Sequence, residues 1–303
     1  MGNRGLAYWR AGVEGRDTLD EAVVREMVAH PGFAAACKDC MRRSIQPGNQ
    51  QMYQILRDMS GMFYAIFTLY LDARSGLTMS AIQQFCAEAG LSSPGRSAAL
   101  LLMLRLKGFV VPDPIPGRNR ARRYIPTPAM EATMREFISI QLSSLTYIEP
   151  EAAQAASRFG ERAIFQPFVI ALGEGLVDML KKGSAERSDI TLFSQRSAGS
   201  FILYHLAVSG EDDDTYPPRG PIRMSVTSLA KRYSVSRSHV LKLLRDAERA
   251  GLLTRDAENL TCQFTEKLCD ALNRYHAAFF MANAAFADIA LRSAESELKL
   301  AAQ

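Results

Sequence analysis

The chain has 303 residues, 48% of them hydrophobic and 22% charged, with a formal net charge of +4. That length supports two domains with cores of their own, and a mean hydropathy of −0.08 marks a globular chain. Five cysteines, an odd number, argue against a disulfide framework. Apolar runs such as Met62–Leu71 are too short to span a bilayer, and residues 1–17 lack a signal-peptide core, so no membrane and a cytoplasmic location are expected.

In chain order, Thr18-Leu-Asp-Glu21 reads as a capping box that opens a helix running to His30, where Pro31-Gly32 stops it. A second helix covers Phe33 to Ser44. A long one covers Gln51 to Ala73, with Met52, Ile55, Leu56, Met59, Phe63, Ile66, Phe67 and Tyr70 at helical spacing. Residues 79–111 (MSAIQQFCAEAGLSSPGRSAALLLMLRLKGFVV) give a short helix, a small-residue turn, a longer helix and a terminating Gly108 before an apolar pair. The proline-rich stretch from Pro112 to Pro126 reads as a β-hairpin, returning as a strand over Arg122–Ile125. Helices then follow over Pro128–Thr146, Phe168–Lys182 (opened by Pro167-Phe168) and Ser194–Val208. The acidic, proline-containing run Gly210–Pro221 is a solvated loop. Residues 226–254 (VTSLAKRYSVSRSHVLKLLRDAERAGLLT) repeat the helix-turn-helix pattern and end at Gly251; a shorter hairpin to Phe264 and a helix over Thr265–Ser296 complete the chain.

The same unit therefore occurs twice, as residues 28–150 and 151–303 behind an N-terminal extension of residues 1–27. Helix, helix-turn-helix, hairpin and long return helix resembles the order of winged-helix regulators of the MarR type. The resemblance implies a mainly α fold of two fused winged helix-turn-helix units with small β-hairpin wings and long packing helices, related by a pseudo-two-fold. It also implies terminal helices that dimerise, a motif helix in the DNA major groove, and effector ligands between those parts.

The two motif helices differ in chemistry. At about 100° per residue, Val240, Leu243, Leu244 and Ala247 share the inner face of the helix capped by Ser236. Ser238, Lys242, Arg245 and Arg249 share the outer one, with Arg237 and His239 at the end that would meet base edges. Between Pro218 and Gly251 eight Lys/Arg stand against two acids, a net +6 in a chain of +4. With Gly108 aligned on Gly251, the outer positions of the first helix are Gly95, Ala99, Leu102 and Leu106. They cannot hydrogen-bond base edges and suit a protein partner, such as a second copy. Arg96 and Arg105 remain as phosphate contacts there. The first wing, residues 116–125, carries Arg118, Arg120, Arg122 and Arg123 without an acid, as a grip on phosphates or a narrow minor groove requires.

Other constellations do not add up to chemistry. Cys37-Lys-Asp-Cys40 is a lone CxxC without the further ligands zinc needs. His30, His205, His239 and His276 are isolated, Gly173-Glu-Gly175 lacks the third glycine of a phosphate loop, and no nucleophile stands with a base. No catalytic residue, metal or cofactor is expected. His205 and His276 read as hydrogen-bonded core residues, and Tyr275, Phe279, Phe280, Met281 and Phe286 as packing ahead of an effector pocket. The expectation is sequence-specific binding of double-stranded DNA by a transcriptional regulator. A plasmid-type replication initiator and a winged-helix protein-interaction module are the alternatives.

Overall fold

The computed structural model describes residues 5–11, 20–46, 57–88, 93–114, 122–181, 189–210, 216–256, 258 and 260–301. Among them the chain is mainly helical, with two small sheets. The first sheet, β1 (Leu77–Thr78), β2 (Val110–Pro112) and β3 (Arg123–Pro126), is antiparallel in the order β1-β3-β2. Helices Met79–Glu88 and Pro94–Leu106 lie between β1 and β2, and helix Pro128–Leu145 follows β3. The second, β4 (Ile222–Arg223), β5 (Leu253–Asp256) and β6 (Thr261–Phe264), has the order β4-β6-β5. Helices Val226–Arg232 and Arg237–Arg249 lie between β4 and β5, and helix Glu266–Ala301 follows β6.

The correspondence extends to single hydrogen bonds. Ser93 Oγ caps the backbone N–H of Arg96, and Ser236 Oγ that of His239, at 3.4 and 3.1 Å. Each helix then ends on a left-handed glycine, Gly108 at φ 75° and Gly251 at φ 69°, a conformation that costs glycine nothing. Phe109 N–H closes on Leu104 O and Leu252 N–H on Ala247 O, both at 2.9 Å. Thr127 and Thr265, which open the two return helices, donate from Oγ1 to Gly108 O and Gly251 O, both at 2.8 Å.

The remaining helices join these units crosswise. Helix Phe33–Ser44 packs on helix Pro128–Leu145 and on helix Gly199–Ala207, while helix Arg162–Lys181 packs on helix Glu266–Ala301 and on helix Met59–Arg74. One continuous hydrophobic cluster results. Phe168 is fully buried between Phe159 and Phe286, edge-on at centroid distances of 5.2 and 5.7 Å.

Several boundaries differ from those read in the sequence. Asp20 caps helix Glu21–Ala29, accepting from Ala22 N–H, while Thr18 lies outside the described residues. The helix placed over Gln51–Ala73 begins at Met59, because the Asp58 carboxylate accepts from Gly61 N–H and sets the start there; residues 51–56 lie outside the described residues. Pro167 does not open a helix but sits inside Arg162–Lys181. The stretch placed over Ser194–Val208 is broken into Thr191–Ser194 and Gly199–Ala207 by Ala198, at φ 59°. The apolar stretch Arg162–Leu180 is also long enough to cross a membrane by length and composition, longer than the runs singled out above; it carries the buried Ile164, Phe165, Phe168 and Val169.

Candidate nucleic-acid interface

Helix Arg237–Arg249 separates into two faces as its period requires. Val240, Leu243, Leu244 and Ala247 are 0–1% exposed and anchor it to the core. Arg237, Ser238, Lys242, Arg245 and Arg249 are exposed on the other side. Thirteen residues make it roughly 20 Å long, enough to lie along a major groove. The Arg237, Lys242 and Arg245 side chains have no hydrogen bond or ion pair among the described residues. Their charge is held in solvent, where a phosphate or a guanine edge can take it. Arg223 and Lys231, also exposed, widen the cationic surface. Arg249 differs: it pairs with Asp246 at 3.3 Å, and the other oxygen of Asp246 takes Arg196 at 3.0 Å.

His239 departs from the sequence reading. Its Nε2 donates to Ser197 O at 2.9 Å, so the ring is turned into the protein rather than toward a groove. The same stretch holds Arg57, which the sequence reading passed over. Arg57 Nε donates to Ser197 Oγ at 3.0 Å, its Nη2 to Ser234 O at 3.3 Å, and its own carbonyl accepts from Ala198 N–H at 2.7 Å. Ser234, at φ 51°, is in the turn between the two motif helices. Arg57 and His239 therefore fix both the turn and the N-terminal end of the cationic helix. Sequence separations of 140 and 177 residues for the Arg57 bonds leave no local signal by which they could be read.

Helix Pro94–Leu106 has the same inner anchoring, with Leu101 and Leu104 at 0% and 1% exposed. Its outer face is the apolar one expected: Gly95 and Ala99 are exposed, Leu102 is 50% and Leu106 81% exposed. Each of its two arginines has a contact within the protein. Arg96 donates to Ser60 Oγ at 3.2 Å, and the Arg105 guanidinium stands over the Tyr124 ring at 5.5 Å.

Arg118 and Arg120 of the first wing lie outside the described residues. Arg122, just before β3, is exposed. Arg123 is exposed too, but its guanidinium lies against Gly76; a Cβ there would come within 2.4 Å of it, and φ of 89° independently calls for glycine. Its charge also acts on the nearby Asp72 carboxyl, which burial pushes above the usual carboxylate range. In the second hairpin Arg255 is paired with Glu248, Nε to Oε2 at 3.0 Å, leaving that wing little charge to offer.

Cys37, Cys40, His205 and His276 are packed within the protein. Cys37 and Cys40 are buried as thiols, and burial raises Cys40 to about 12. His276 is 1% exposed, with Nδ1 at 2.8 Å from the Tyr216 hydroxyl and 3.0 Å from Leu272 O; burial lowers it to about 4. His205 is half-buried with the Tyr233 hydroxyl 3.3 Å from Nδ1, and desolvation lowers its pKa. The C-terminal aromatic stripe fills the core: Tyr275 stacks on Phe279, and Phe280 meets Phe33 edge-on. A polar cleft of about 430 Å³ lies elsewhere, lined by Asp72, Glu131, Arg135, Arg162 and Phe165.

No protein-family model matches the chain, and comparison with curated proteins and with solved structures found no match.

Proposed function

We propose that the chain is a DNA-binding regulator built from two fused winged-helix units, residues 28–150 and 151–303, related by a pseudo-two-fold. In this reading helix Arg237–Arg249 enters the major groove of double-stranded DNA, with Arg237, Ser238, Lys242 and Arg245 facing the bases and Arg249 at its far end. The first wing, residues 116–125, adds phosphate contacts. The observation that carries the reading is the pairing of form and charge: a capped, core-anchored helix on a three-stranded sheet presents Arg237, Lys242 and Arg245 on its outer side with no partner among the described residues. Phosphate contacts would dominate affinity, which would fall steeply with salt.

The two-unit reading has its own support. Matching caps, glycines and threonine bonds recur at corresponding positions, and the helices pack crosswise as a two-fold would require. In vitro selection from random duplex DNA tests the function, run beside a Lys242→Ala/Arg245→Ala variant. Enrichment of a defined sequence by the wild type, lost in the variant, is the expected result. Enrichment of nothing would overturn it.

A second reading, a protein-interaction module on the same scaffold, is favoured by one observation, the exposed Leu102 and Leu106. A homodimer or another protein would cover that face.

A further inference from the structure

We propose that the DNA element this chain reads is a single, non-palindromic half-site, bound by one chain through one helix. The inference rests on the DNA-binding reading above and specifies its ligand. A pseudo-symmetric pair of motif helices would ordinarily meet two successive major-groove segments, roughly 10 base pairs apart, and select an inverted repeat. That outcome needs the same side chains at both half-sites. Here the scaffolds agree and the outer faces do not. Ser93 and Ser236 start the two helices, Gly108 and Gly251 end them, and the aligned inner residues Leu101 and Leu244 are both fully buried. The outer positions pair Gly95 with Ser238, Ala99 with Lys242, Leu102 with Arg245 and Leu106 with Arg249.

In the major groove every base pair presents donors and acceptors, with one methyl group on thymine as the apolar exception. Leucines at positions 102 and 106 would strip water from those polar edges and return no hydrogen bond, so binding there is disfavoured whatever the base sequence. The arginines on the first helix do not repair this, because Arg96 is bonded to Ser60 and Arg105 stands over Tyr124. Selection therefore acts on the bases under helix Arg237–Arg249 alone. Any contact from the first unit is to the backbone and leaves no sequence mark.

The test compares selection from random duplexes by the wild type and by Ala99→Lys/Leu102→Arg, which gives the first helix the central lysine and arginine of the second at two of the four outer positions. Both positions are exposed, so the fold is expected to survive, and thermal melting checks that. The wild type is expected to enrich one asymmetric element at one chain per duplex. The variant is expected to enrich that element as an inverted repeat, binding the repeat about tenfold tighter than the single element. An inverted repeat from the wild type overturns the inference and leaves the DNA-binding reading standing. Enrichment of nothing by the wild type overturns that reading and the inference with it. A folded variant that selects only the single element overturns the argument from the outer faces, because something other than Ala99 and Leu102 then keeps the first helix from reading bases.

Discussion

Helices Pro94–Leu106 and Arg237–Arg249 have the same length, the same serine cap and the same glycine stop, yet one shows leucines to solvent and the other lysine and arginine. The comparison separates two kinds of constraint on one scaffold. Residues that face inward are held to a common pattern by packing, since Leu101 and Leu244 fill equivalent buried positions. Residues that face outward are free of it, and what they carry is set by what they meet. The difference between the outer faces is therefore where functional information lies.

The largest expected effect tests the shared part. Leu101→Ala and Leu244→Ala should each destabilise the protein by about 2–5 kcal/mol in urea unfolding, since both remove a fully buried side chain. If only one of the two were costly, the two helices would not be anchored alike.

A smaller effect separates the return helices. With Thr127 aligned on Thr265, His276 falls on Ile138, which is buried as well. Burial holds His276 at about 4, against 6.5 in the unfolded chain, so the unfolded state takes up the proton first on acidification. Stability is complete above pH 6.5 and falls as pH drops toward 4, by about 3 kcal/mol for this group. His276→Ile should flatten that part of the profile, as followed by unfolding at several pH values; an unchanged slope would show that the group does not drive it.

Lys242→Ala/Arg245→Ala should weaken binding to a selected duplex on the order of 100-fold, while stability changes by less than about 0.5 kcal/mol. Fluorescence anisotropy and thermal melting read the two numbers. Equal affinities would remove the functional half of the contrast.

The smallest effect concerns the wing. Arg122→Ala should reduce the slope of log affinity against log salt by about 0.9, without changing which sequence is preferred. A change of preferred sequence would mean that this residue reads a groove rather than a phosphate.

What was legible in the sequence is what local chemistry controls. The serine cap at 236, the stop at Gly251, and the inner residues Val240, Leu243, Leu244 and Ala247 follow from spacing alone, and the structure has them so. The exposed leucines of the first helix were equally readable. Illegible were the contacts made across the chain. His239 shares the exposed N-terminal end with Arg237, but Ser197 O draws its ring inward. Arg123 looks like a wing cation until Gly76 leaves it a place against the backbone. Arg57 belongs to no motif and is placed by Ser197 and Ser234, which only the folded chain brings near. The break at Ala198 escaped for a related reason, since its N–H is bonded to Arg57 O and not to its own neighbourhood.

All five cysteines are buried, so a cysteine introduced on the surface can be labelled selectively. The most direct measurement places one at Ser238 or at Gly95, the aligned outer positions, where an added Cβ at Gly95 meets nothing within 4 Å. Each is coupled to a reagent that cleaves DNA nearby, and each labelled protein is bound to its selected duplex. The expected result is a single cleavage locus inside the element from the label at position 238, and no base-specific cleavage from position 95. Equal cleavage from both, or none from position 238, would contradict reading by the second helix.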